Sequence, residues 1–224
     1  MLAIAGLKAK DIMGFCLIHR IGVAAAVNAS QDGTDMIEER SPLPTLQGQR
    51  IHLRPHREDD LSAFFALYSD PKVMRYWSFP AWTDIAQARD RFSTALLPPG
   101  ANGIHAWAVA GADDALIGGL TLFSIDSSQR RAEIGYALQS AHWGRGHAQE
   151  AMRLALDYAF GVLRLRRIEA DIDPRNQGSC RLVERMGFVR EGLLRQRWLV
   201  AGEITDTAFY GLLQEDWDRH AQRA

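Results

Sequence analysis

The sequence predicts a single α+β domain of the mixed α/β kind, and three observations support this fold class. The chain of 224 residues has the length of one domain with a substantial core. Predicted helices occur early and late in the chain, with mainly antiparallel strands between them. One strand-helix-strand unit, between Arg131 and Ile172, is expected to place its two strands parallel, because its helix crosses from one to the other.

Composition excludes several classes of protein. The chain is 47% hydrophobic and 24% charged, with a formal net charge of −1, so it lacks the basic excess typical of nucleic-acid binders. Cys16 and Cys180 lie far apart and form neither a metal pattern nor a disulfide framework, which favours a reducing, cytoplasmic compartment and no metal. No apolar run approaches the length of a membrane span, so we expect no membrane partner.

The N-terminal segment differs from the rest of the chain. Its apolar run from Ile21 to Ala29 has the length of a signal-peptide core, but charged residues interrupt the surrounding apolar stretch and disfavour a secreted protein. We expect a disordered extension or an upstream-start artefact, with Met36 as the true start. Pro42 and Pro44 then predict a linker. The expected division is an extension over 1–44, a domain over 45–218 and a tail over 219–224.

The first predicted strand runs from Gln49 to Arg54, where apolar and polar residues alternate, and ends at Pro55. A helix follows, capped at its N-terminus by Asp59 or Asp60. Its apolar residues have helical spacing and are Leu61, Phe64, Phe65 and Tyr68.

Two more helices and an aromatic loop come next. Asp70-Pro71 ends the first helix, and residues 73–77 begin a short second one. The aromatic, proline-broken segment 76–82 either lines a substrate cleft or covers the edge of the sheet. A third helix is predicted from Thr83 to Leu96, with Ile85, Ala88, Phe92 and Leu96 on one side.

Three strands are then predicted, over residues 104–110, 116–125 and 131–138. The turn signal from Gly111 to Asp114 predicts that the first two form an antiparallel hairpin. Gly118-Gly119 inside the second strand indicates a bulge or the close approach of another backbone.

The last third of the chain alternates between helices and strands. A helix over 148–163 precedes a buried strand over 167–172, and a second helix over 177–186 stops at Gly187, a natural C′ glycine. Gly202-Glu203 predicts a hairpin turn. The final predicted strands are 188–190, 195–200 and 205–212.

The stretch from Glu133 to Ala151 runs as a strand, through a break, into a helix that starts after Gly144 and Gly146. Such a helix end presents unpaired N–H groups and a positive dipole, which together hold phosphate. The loop lacks the Gly-Lys-Ser/Thr ending of a P-loop and fits a Rossmann loop poorly. A coenzyme that contains a pyrophosphate, but transfers no phosphoryl group, fits better.

This loop resembles the acetyl-CoA loop of the GNAT N-acetyltransferases, usually written Q/R-x-x-G-x-G/A. The matching residues are Trp143, Gly144, Arg145, Gly146, His147 and Ala148, with Glu150-Ala151 behind them. It is more closely similar to the RimJ/RimL-like branch, the ribosomal-protein N-terminal acetyltransferases, where an aromatic residue takes the first position as Trp143 does. Further matches occur over residues 45–217, at Arg50 to Pro55, Asp173 to Ser179, Met186 to Phe188, Glu191 to Arg195, Gly202, Asp206, Tyr210 and Trp217.

The resemblance implies a mostly antiparallel central sheet with one splayed parallel strand pair, flanked by helices. It also implies acetyl-CoA as cosubstrate, with its pyrophosphate on the backbone N–H groups of Trp143 to Ala148. The pantetheine arm would pair with the backbone of Tyr136, Ala137 and Leu138 and would be contacted by the Asn176 amide. The amine acceptor would be either a protein N-terminus or a small molecule.

Glu133 is the candidate general base. An α-amino group has a pKa near 8 and a lysine near 10, so a thioester aminolysis needs a group that removes a proton. The alternative is a structural glutamate bonded to a neighbouring arginine. Asp126 and His142 are weaker candidates for the same role.

Ser179 is the candidate that assists the leaving thiolate. Many GNAT enzymes use a tyrosine on this helix, but the matching position here is Val183, and the RimJ/RimL-like branch offers a serine near the sulfur. Ser179 could instead simply support the first turn of its helix. Cys180 could form an acetyl-enzyme, although a lone cysteine without a positioned base is more often a buried small side chain.

The sequence therefore predicts an acetyl-CoA-dependent N-acetyltransferase that works by direct transfer in a ternary complex. The alternative is a non-catalytic acyl-CoA-binding or regulatory module, which the loss of the tyrosine at Val183 favours. The terminal strand pair and the exposed aromatic residues are compatible with a homodimer. The acceptor site could be shaped by Arg54, Arg75, Trp77, Trp82 and Arg197.

Overall fold

A computed structural model describes residues 42–98 and 103–221 and shows one eight-stranded sheet in that part of the chain. The expected start at Met36 lies outside these residues. The strands are β1 Leu46–Gln47, β2 His52–Pro55, β3 His105–Ala110, β4 Leu116–Asp126, β5 Arg131–Leu138, β6 Arg167–Ile172, β7 Val189–Val200 and β8 Glu203–Leu213. Their order in the sheet is β1-β2-β3-β4-β5-β6-β8-β7, and β5–β6 is the parallel pair while the other neighbours are antiparallel.

Helices cover both faces of this sheet. They are α1 Leu61–Ser69, α2 Pro71–Met74, α3 Ile85–Ala95, α4 His147–Gly161, α5 Gln177–Arg185 and α6 Gln214–Ala221. The alternation of β5 separates the two layers: Ala132 and Ile134 pack in the core with α4 and α5, whereas Ala137 packs with Leu67 of α1 and Val73 of α2. In the described ranges, no helix is long and apolar enough to cross a bilayer. The predicted mixed α/β class is confirmed.

The sheet opens between its two parallel strands. Their pairing joins Arg131 to Arg167 and Glu133 to Glu169 at its two ends and goes no further. Beyond it, β5 continues to Leu138 along β4, and β6 continues to Ile172 along β8. The two strands therefore diverge toward their carboxyl ends, which confirms the splayed pair and leaves one edge of β5 facing a gap.

Two glycines explain how this part of the sheet packs. A Cβ on Gly118 would overlap the carbonyl oxygen of Ala137 on the paired strand, so the predicted close approach is confirmed. Gly187 has φ 90°, a left-handed value that favours glycine, and it ends α5 as predicted.

The structure corrects one expectation about elements and adds two elements that were not predicted. The predicted strands 188–190 and 195–200 are one strand, β7, because register shifts near Gly192 and Gln196 absorb the irregular residues without ending the pairing. Neither β1 nor α6 was predicted; β1 has two residues, and α6 is a polar helix that buries Trp217. Such elements have too little periodicity to stand out.

The packed domain also begins before residue 45. The side chain of Leu43 is buried in the main core, and the indole N–H of Trp107 donates a 3.0 Å hydrogen bond to the carbonyl of Pro44. The segment predicted to link an extension to the domain therefore packs against the sheet.

Asp60 does not cap α1 with its side chain as expected. Its carboxylate accepts two hydrogen bonds from Arg54, of 2.7 and 2.8 Å, and both side chains are buried. Arg54 also donates to Asp114 at 2.9 Å, on the turn between β3 and β4. Arg54 is therefore a buried residue that joins β2 to its neighbours, and a place for it in an acceptor site stays a prediction.

Candidate active site

The glycine-rich loop has the conformation of an anion-binding helix end. Gly144 and Gly146 have φ values of 72° and 79°, and Gly146 is the N-cap of α4, which begins at His147. Left-handed values at both positions favour glycine over other residues. They turn the chain so that the N–H groups of the first helical turn point out of its end.

Arg50 and Glu150 clamp this loop onto the start of the sheet. Glu150 accepts hydrogen bonds from the Arg50 Nε at 2.8 Å, from the Arg50 backbone N–H at 2.9 Å, and from the backbone N–H of Gln49. Arg50 Nη1 donates to the carbonyl of Arg145 at 3.1 Å. The guanidinium lies against Gly146, 3.0 Å from where a Cβ would stand. A positive group is thus fixed beside the helix end.

Sequence reasoning missed this clamp, although both residues belong to the matching motifs. Arg50 and Glu150 are 100 positions apart, and neither pattern alone indicates a contact. One signal in the sequence was Glu150 itself, because an acidic residue in the first turn of an anion-binding helix needs a positively charged partner. Its charge is compensated by Arg50, which leaves the helix end available for phosphate.

Trp143 anchors the loop to the end of β5. Its indole is half exposed, and the Nε1–H donates a 2.8 Å hydrogen bond to the carbonyl of Leu138. The Leu138 carbonyl therefore uses one of its two lone pairs on Trp143, and the pairing of Tyr136, Ala137 and Leu138 with a pantetheine arm stays a prediction. Ala148, one residue into α4, packs against the main core.

His142 and His147 form a pair of imidazoles behind the loop. Their ring centroids are 5.8 Å apart, and both Nδ1 atoms are buried without a hydrogen-bond partner among the described residues. Burial lowers the pKa of His147, the neighbouring His142 ring and the guanidinium groups of Arg50 and Arg145 lower it further, and Glu150 opposes them. This is an electropositive site that favours a bound anion.

We expect CoA to bind more tightly as the pH falls from about 8 to about 6, by about threefold through His147. A bound anion favours the imidazolium, so the pKa of His147 rises on binding and a proton is taken up. Calorimetry in buffers of different ionisation enthalpy measures this uptake. His147→Asn should lose it, while the titration of the ligand's own phosphate remains in both proteins. Equal proton uptake by the two proteins would contradict the prediction.

Glu133 lies where the parallel pairing ends, on the sheet face opposite α4 and α5. Burial raises its carboxyl pKa, and the neighbouring carboxylates Glu169 and Asp171 raise it further, against a hydrogen bond from Ser124. Ser124 has φ 51° at a register shift in β4, and this irregularity brings its hydroxyl to Glu133.

The nearby arginines bind a different carboxylate. Glu169, which pairs with Glu133 across the parallel strands, accepts hydrogen bonds from Arg131 at 3.1 Å and from Arg167 at 2.7 Å. Arg131 hydrogen-bonds to Glu169, but its charge also lowers the carboxyl pKa of Glu133, against the larger effect of burial. The net raised pKa of this half-buried carboxyl, in a gap of the sheet, suits it to exchange a proton.

The structure brings three of the predicted site residues together on the face of the sheet that α4 and α5 cover. Asn176 is the N-cap of α5, and its Oδ1 accepts a 3.1 Å hydrogen bond from the Ser179 backbone N–H. The Tyr136 hydroxyl donates to Ser179 Oγ at 3.1 Å. The capping bond uses Oδ1, so a contact of Asn176 with a pantetheine arm would use Nδ2. Val183, where the family often has a tyrosine, is 0% exposed and belongs to the core.

Several weaker candidates have structural roles. Asp126 accepts hydrogen bonds from Ser128 at 2.7 Å and from the Gln129 backbone at 2.9 Å, so it shapes the turn between β4 and β5. Cys180 is buried, as expected of a small core side chain, and Trp82 is buried in an aromatic cluster. Within the part of the chain that the structure describes, no cluster of His, Cys, Asp or Glu could hold a metal ion.

The remaining acceptor-site candidates lie around the gap but do not form one cluster. Arg75 lies over the Tyr76 ring at 5.2 Å, and Arg175, from the loop after β6, lies over the same ring at 5.8 Å. Trp77 packs edge-on against Tyr68, inside the aromatic layer. Arg197 of β7 is 3.8 Å from Asp171 of β6, across the strand β8 that lies between them.

A sheet that opens at one parallel pair, beside a helix end suited to pyrophosphate, is the arrangement expected of an acyltransferase that uses coenzyme A. Comparison with known families identifies the chain further. The acetyltransferase (GNAT) domain matches residues 50–189. The chain therefore belongs to the GNAT family, and it is an N-acetyltransferase.

Individual relatives agree with this family. An uncharacterised N-acetyltransferase of Bacillus licheniformis, p20, is 35% identical over 178 residues, which are 78% of this chain and 99% of that protein. YdaF of Bacillus subtilis, provisionally named a ribosomal N-acetyltransferase, is 35% identical over 117 residues, 52% of this chain and 63% of that protein. A Vibrio cholerae spermidine N-acetyltransferase, solved with CoA and spermine, has a TM-score of 0.68 at 26% identity, covering 75% of this chain and 98% of that one.

Proposed function

We propose that this protein transfers the acetyl group of acetyl-CoA to a primary amine by direct transfer in a ternary complex. One observation is its main support: the gap between β5 and β6 has Glu133 on one face of the sheet and Ser179 on the other. A base and a group that stabilises the leaving thiolate are thereby separated by the opening. The two substrates can then approach each other from opposite faces.

The residues present fit acetyl-CoA. The first-turn N–H groups of α4 and the guanidinium of Arg50 would hold the pyrophosphate, since both present donors at a positive helix end. The backbone of Tyr136 and Ala137, along the open edge of β5, would hold the pantetheine arm. When bound, acetyl-CoA supplies a thioester, which is an acetyl donor with a thiolate as leaving group.

Glu133 takes the proton from the attacking amine, directly or through water. Its raised carboxyl pKa suits this role, because a base is most effective when its pKa approaches the working pH. Backbone N–H groups of β5 polarise the acetyl carbonyl. Ser179 then donates a hydrogen bond to the sulfur as the C–S bond breaks.

Three carboxyl groups, Glu133, Glu169 and Asp171, lie close together at the gap, and Glu169 and Asp171 raise the pKa of Glu133. Arginines bind Glu169 and lie beside Asp171, so an amine would be drawn chiefly to Glu133. A protein N-terminus is supported by the likeness to the RimJ/RimL-like branch and to YdaF. A small amine is supported by the Vibrio cholerae relative, whose structure contains spermine.

The alternative function is a non-catalytic acyl-CoA-binding module. Its specific support is Val183, because a fully buried valine leaves α5 without the acid that many relatives use. In that protein the loop would bind CoA, while Glu133 and Ser179 would have no chemical role.

Release of free CoA thiol from acetyl-CoA distinguishes the two functions. The panel of acceptors contains protein N-terminal peptides, polyamines, amino acids and aminoglycosides, and binding of acetyl-CoA is measured in parallel by calorimetry. We expect one class of amine to give turnover that depends on both substrates. Binding of acetyl-CoA without turnover on any amine would support the module instead, and failure to bind it would refute both functions.

A further inference from the structure

We propose that Tyr136 is a positioning residue that orients the Ser179 hydroxyl toward the sulfur of the cosubstrate. The inference rests on the proposed function, because it concerns the leaving group of that reaction. Sequence reasoning gave Tyr136 only a backbone contact. The structure adds a side-chain contact, the 3.1 Å hydrogen bond from its phenol to Ser179 Oγ.

The direction of this hydrogen bond determines what Ser179 can do. A serine hydroxyl has one hydrogen to donate and two lone pairs that accept. Because the phenol of Tyr136 donates to one lone pair, the hydrogen of Ser179 must point elsewhere. The backbone N–H of Ser179 is also fixed, by its bond to Asn176 Oδ1, so both ends of the residue are held.

Tyr136 keeps its proton throughout the neutral range. Burial raises its pKa to about 12. The phenol therefore remains a donor, and the orientation of Ser179 does not change with pH in the working range. A rotating serine hydroxyl would have to be ordered during each turnover, whereas this one is ordered before it.

The position of the pair relates it to the reaction. Tyr136 lies on β5 beyond the last residue that pairs with β6, at the gap, and Ser179 lies in the first turn of α5, at its positive end. The site further along this helix is closed by Val183, which is buried in the core. Strand β5 thus supplies a phenol where α5 has Val183 in place of a tyrosine. This phenol acts on the leaving group through the Ser179 hydroxyl.

The step balances without ionising either hydroxyl. A bond forms between the amine nitrogen and the acetyl carbon, the C–S bond breaks, and its electron pair stays on sulfur. The amine proton goes to Glu133. Ser179 stabilises the new thiolate by hydrogen bonding alone, which suffices because a thiol pKa near 8.5 makes the thiolate a tolerable anion.

The test measures the thiol pKa of bound CoA, from the ultraviolet absorbance of its thiolate, in wild type, Tyr136→Phe, Ser179→Ala and the double variant. In wild type we expect a value below the ordinary one of about 8.5. Tyr136→Phe should raise it by about half a unit or more, and Ser179→Ala by at least as much. The double variant should match Ser179→Ala, because Tyr136 acts through the serine.

Tyr158→Phe is the matched control. Tyr158 is another tyrosine of the core, packed edge-on against Trp107 at 5.3 Å, and its loss should leave the thiol pKa unchanged. Each variant is checked for folding by thermal unfolding. A folded Tyr136→Phe protein with the wild-type thiol pKa overturns the inference. Additive shifts in the double variant overturn it too, since they mean that the two hydroxyls act separately.

Turnover provides a second readout. Tyr136→Phe should lower kcat about tenfold with the KM for acetyl-CoA nearly unchanged, because the phenol acts on the leaving group and not on binding. A wild-type protein that shifts the thiol pKa through Tyr136 but acetylates no amine would refute the proposed function and still support the positioning. An active wild type with an unaltered Tyr136→Phe variant would refute the positioning alone.

Discussion

Gly146→Glu is expected to lower the affinity for acetyl-CoA by about 1,000-fold, from backbone strain and charge together. The residue has φ 79°, which a glutamate adopts only with strain. A side chain there would also press on the Arg50 guanidinium, whose atoms lie 3.0 to 3.3 Å from the Cβ position. Finally, it would place a negative charge at the helix end that would hold the pyrophosphate. Calorimetric titration with CoA measures the loss.

Two variants separate these causes. Gly146→Ala introduces the strain without the charge and should lose about tenfold in affinity. Gly161→Glu adds the same charge at the other end of α4, where no atom lies within 4 Å of the new Cβ position. This variant should bind CoA as tightly as wild type does. If a folded Gly146→Glu protein bound CoA normally, the pyrophosphate could not lie at this helix end, and the assignment of the loop would be wrong.

The parts of the fold that could be predicted were those with local patterns. Strands β3 to β6 follow from alternation or apolar runs of six to eleven residues, and their bounds agree with the prediction within one or two positions. The loop before α4 was predictable because its glycines have a local conformational reason. The short β1 and the polar α6 lack such patterns.

The contacts of the site were less accessible to sequence reasoning. Arg50 meets Glu150 across 100 positions, and Tyr136 meets Ser179 across 43. Such pairs depend on how the strands align, which no local pattern determines. Alternation did place Glu133 on the face away from α4, since Ala132 and Ile134 face the core. It could not indicate that Ser124 would reach Glu133, because that contact depends on an irregularity in β4.

Glu133→Gln should lower kcat about 100-fold, in the range expected when a general base is lost. The KM for acetyl-CoA should change little, because Glu133 lies on the face opposite α4 and α5. In wild type, kcat should rise with increasing pH as the Glu133 carboxyl loses its proton. This rise should occur above the ordinary carboxyl range, because burial and the charges of Glu169 and Asp171 raise the pKa of Glu133. The variant should lose this limb of the pH profile. Steady-state kinetics over a range of pH measure both effects.

Glu133→Gln should raise the stability of the protein although it lowers the activity. A raised carboxyl pKa means that folded Glu133 retains its proton at a pH where the unfolded chain has lost it. Stability therefore falls as the pH rises from the unfolded pKa through the folded one, and the cost is complete above the folded pKa. Glu133→Gln removes this cost and should unfold at a higher temperature than wild type at pH 7.

Glu169→Gln distinguishes a catalytic carboxylate from a structural one. It lies directly opposite Glu133 in the parallel pair, but it bonds to Arg131 and Arg167, so its loss should lower the unfolding temperature and change kcat less than tenfold. Loss of a general base should therefore raise the unfolding temperature and lower kcat strongly, whereas loss of an ion-pair partner should lower the unfolding temperature and change kcat little. If Glu133→Gln behaved like Glu169→Gln, the carboxylate at this position would be structural, and the amine would have to lose its proton to solvent.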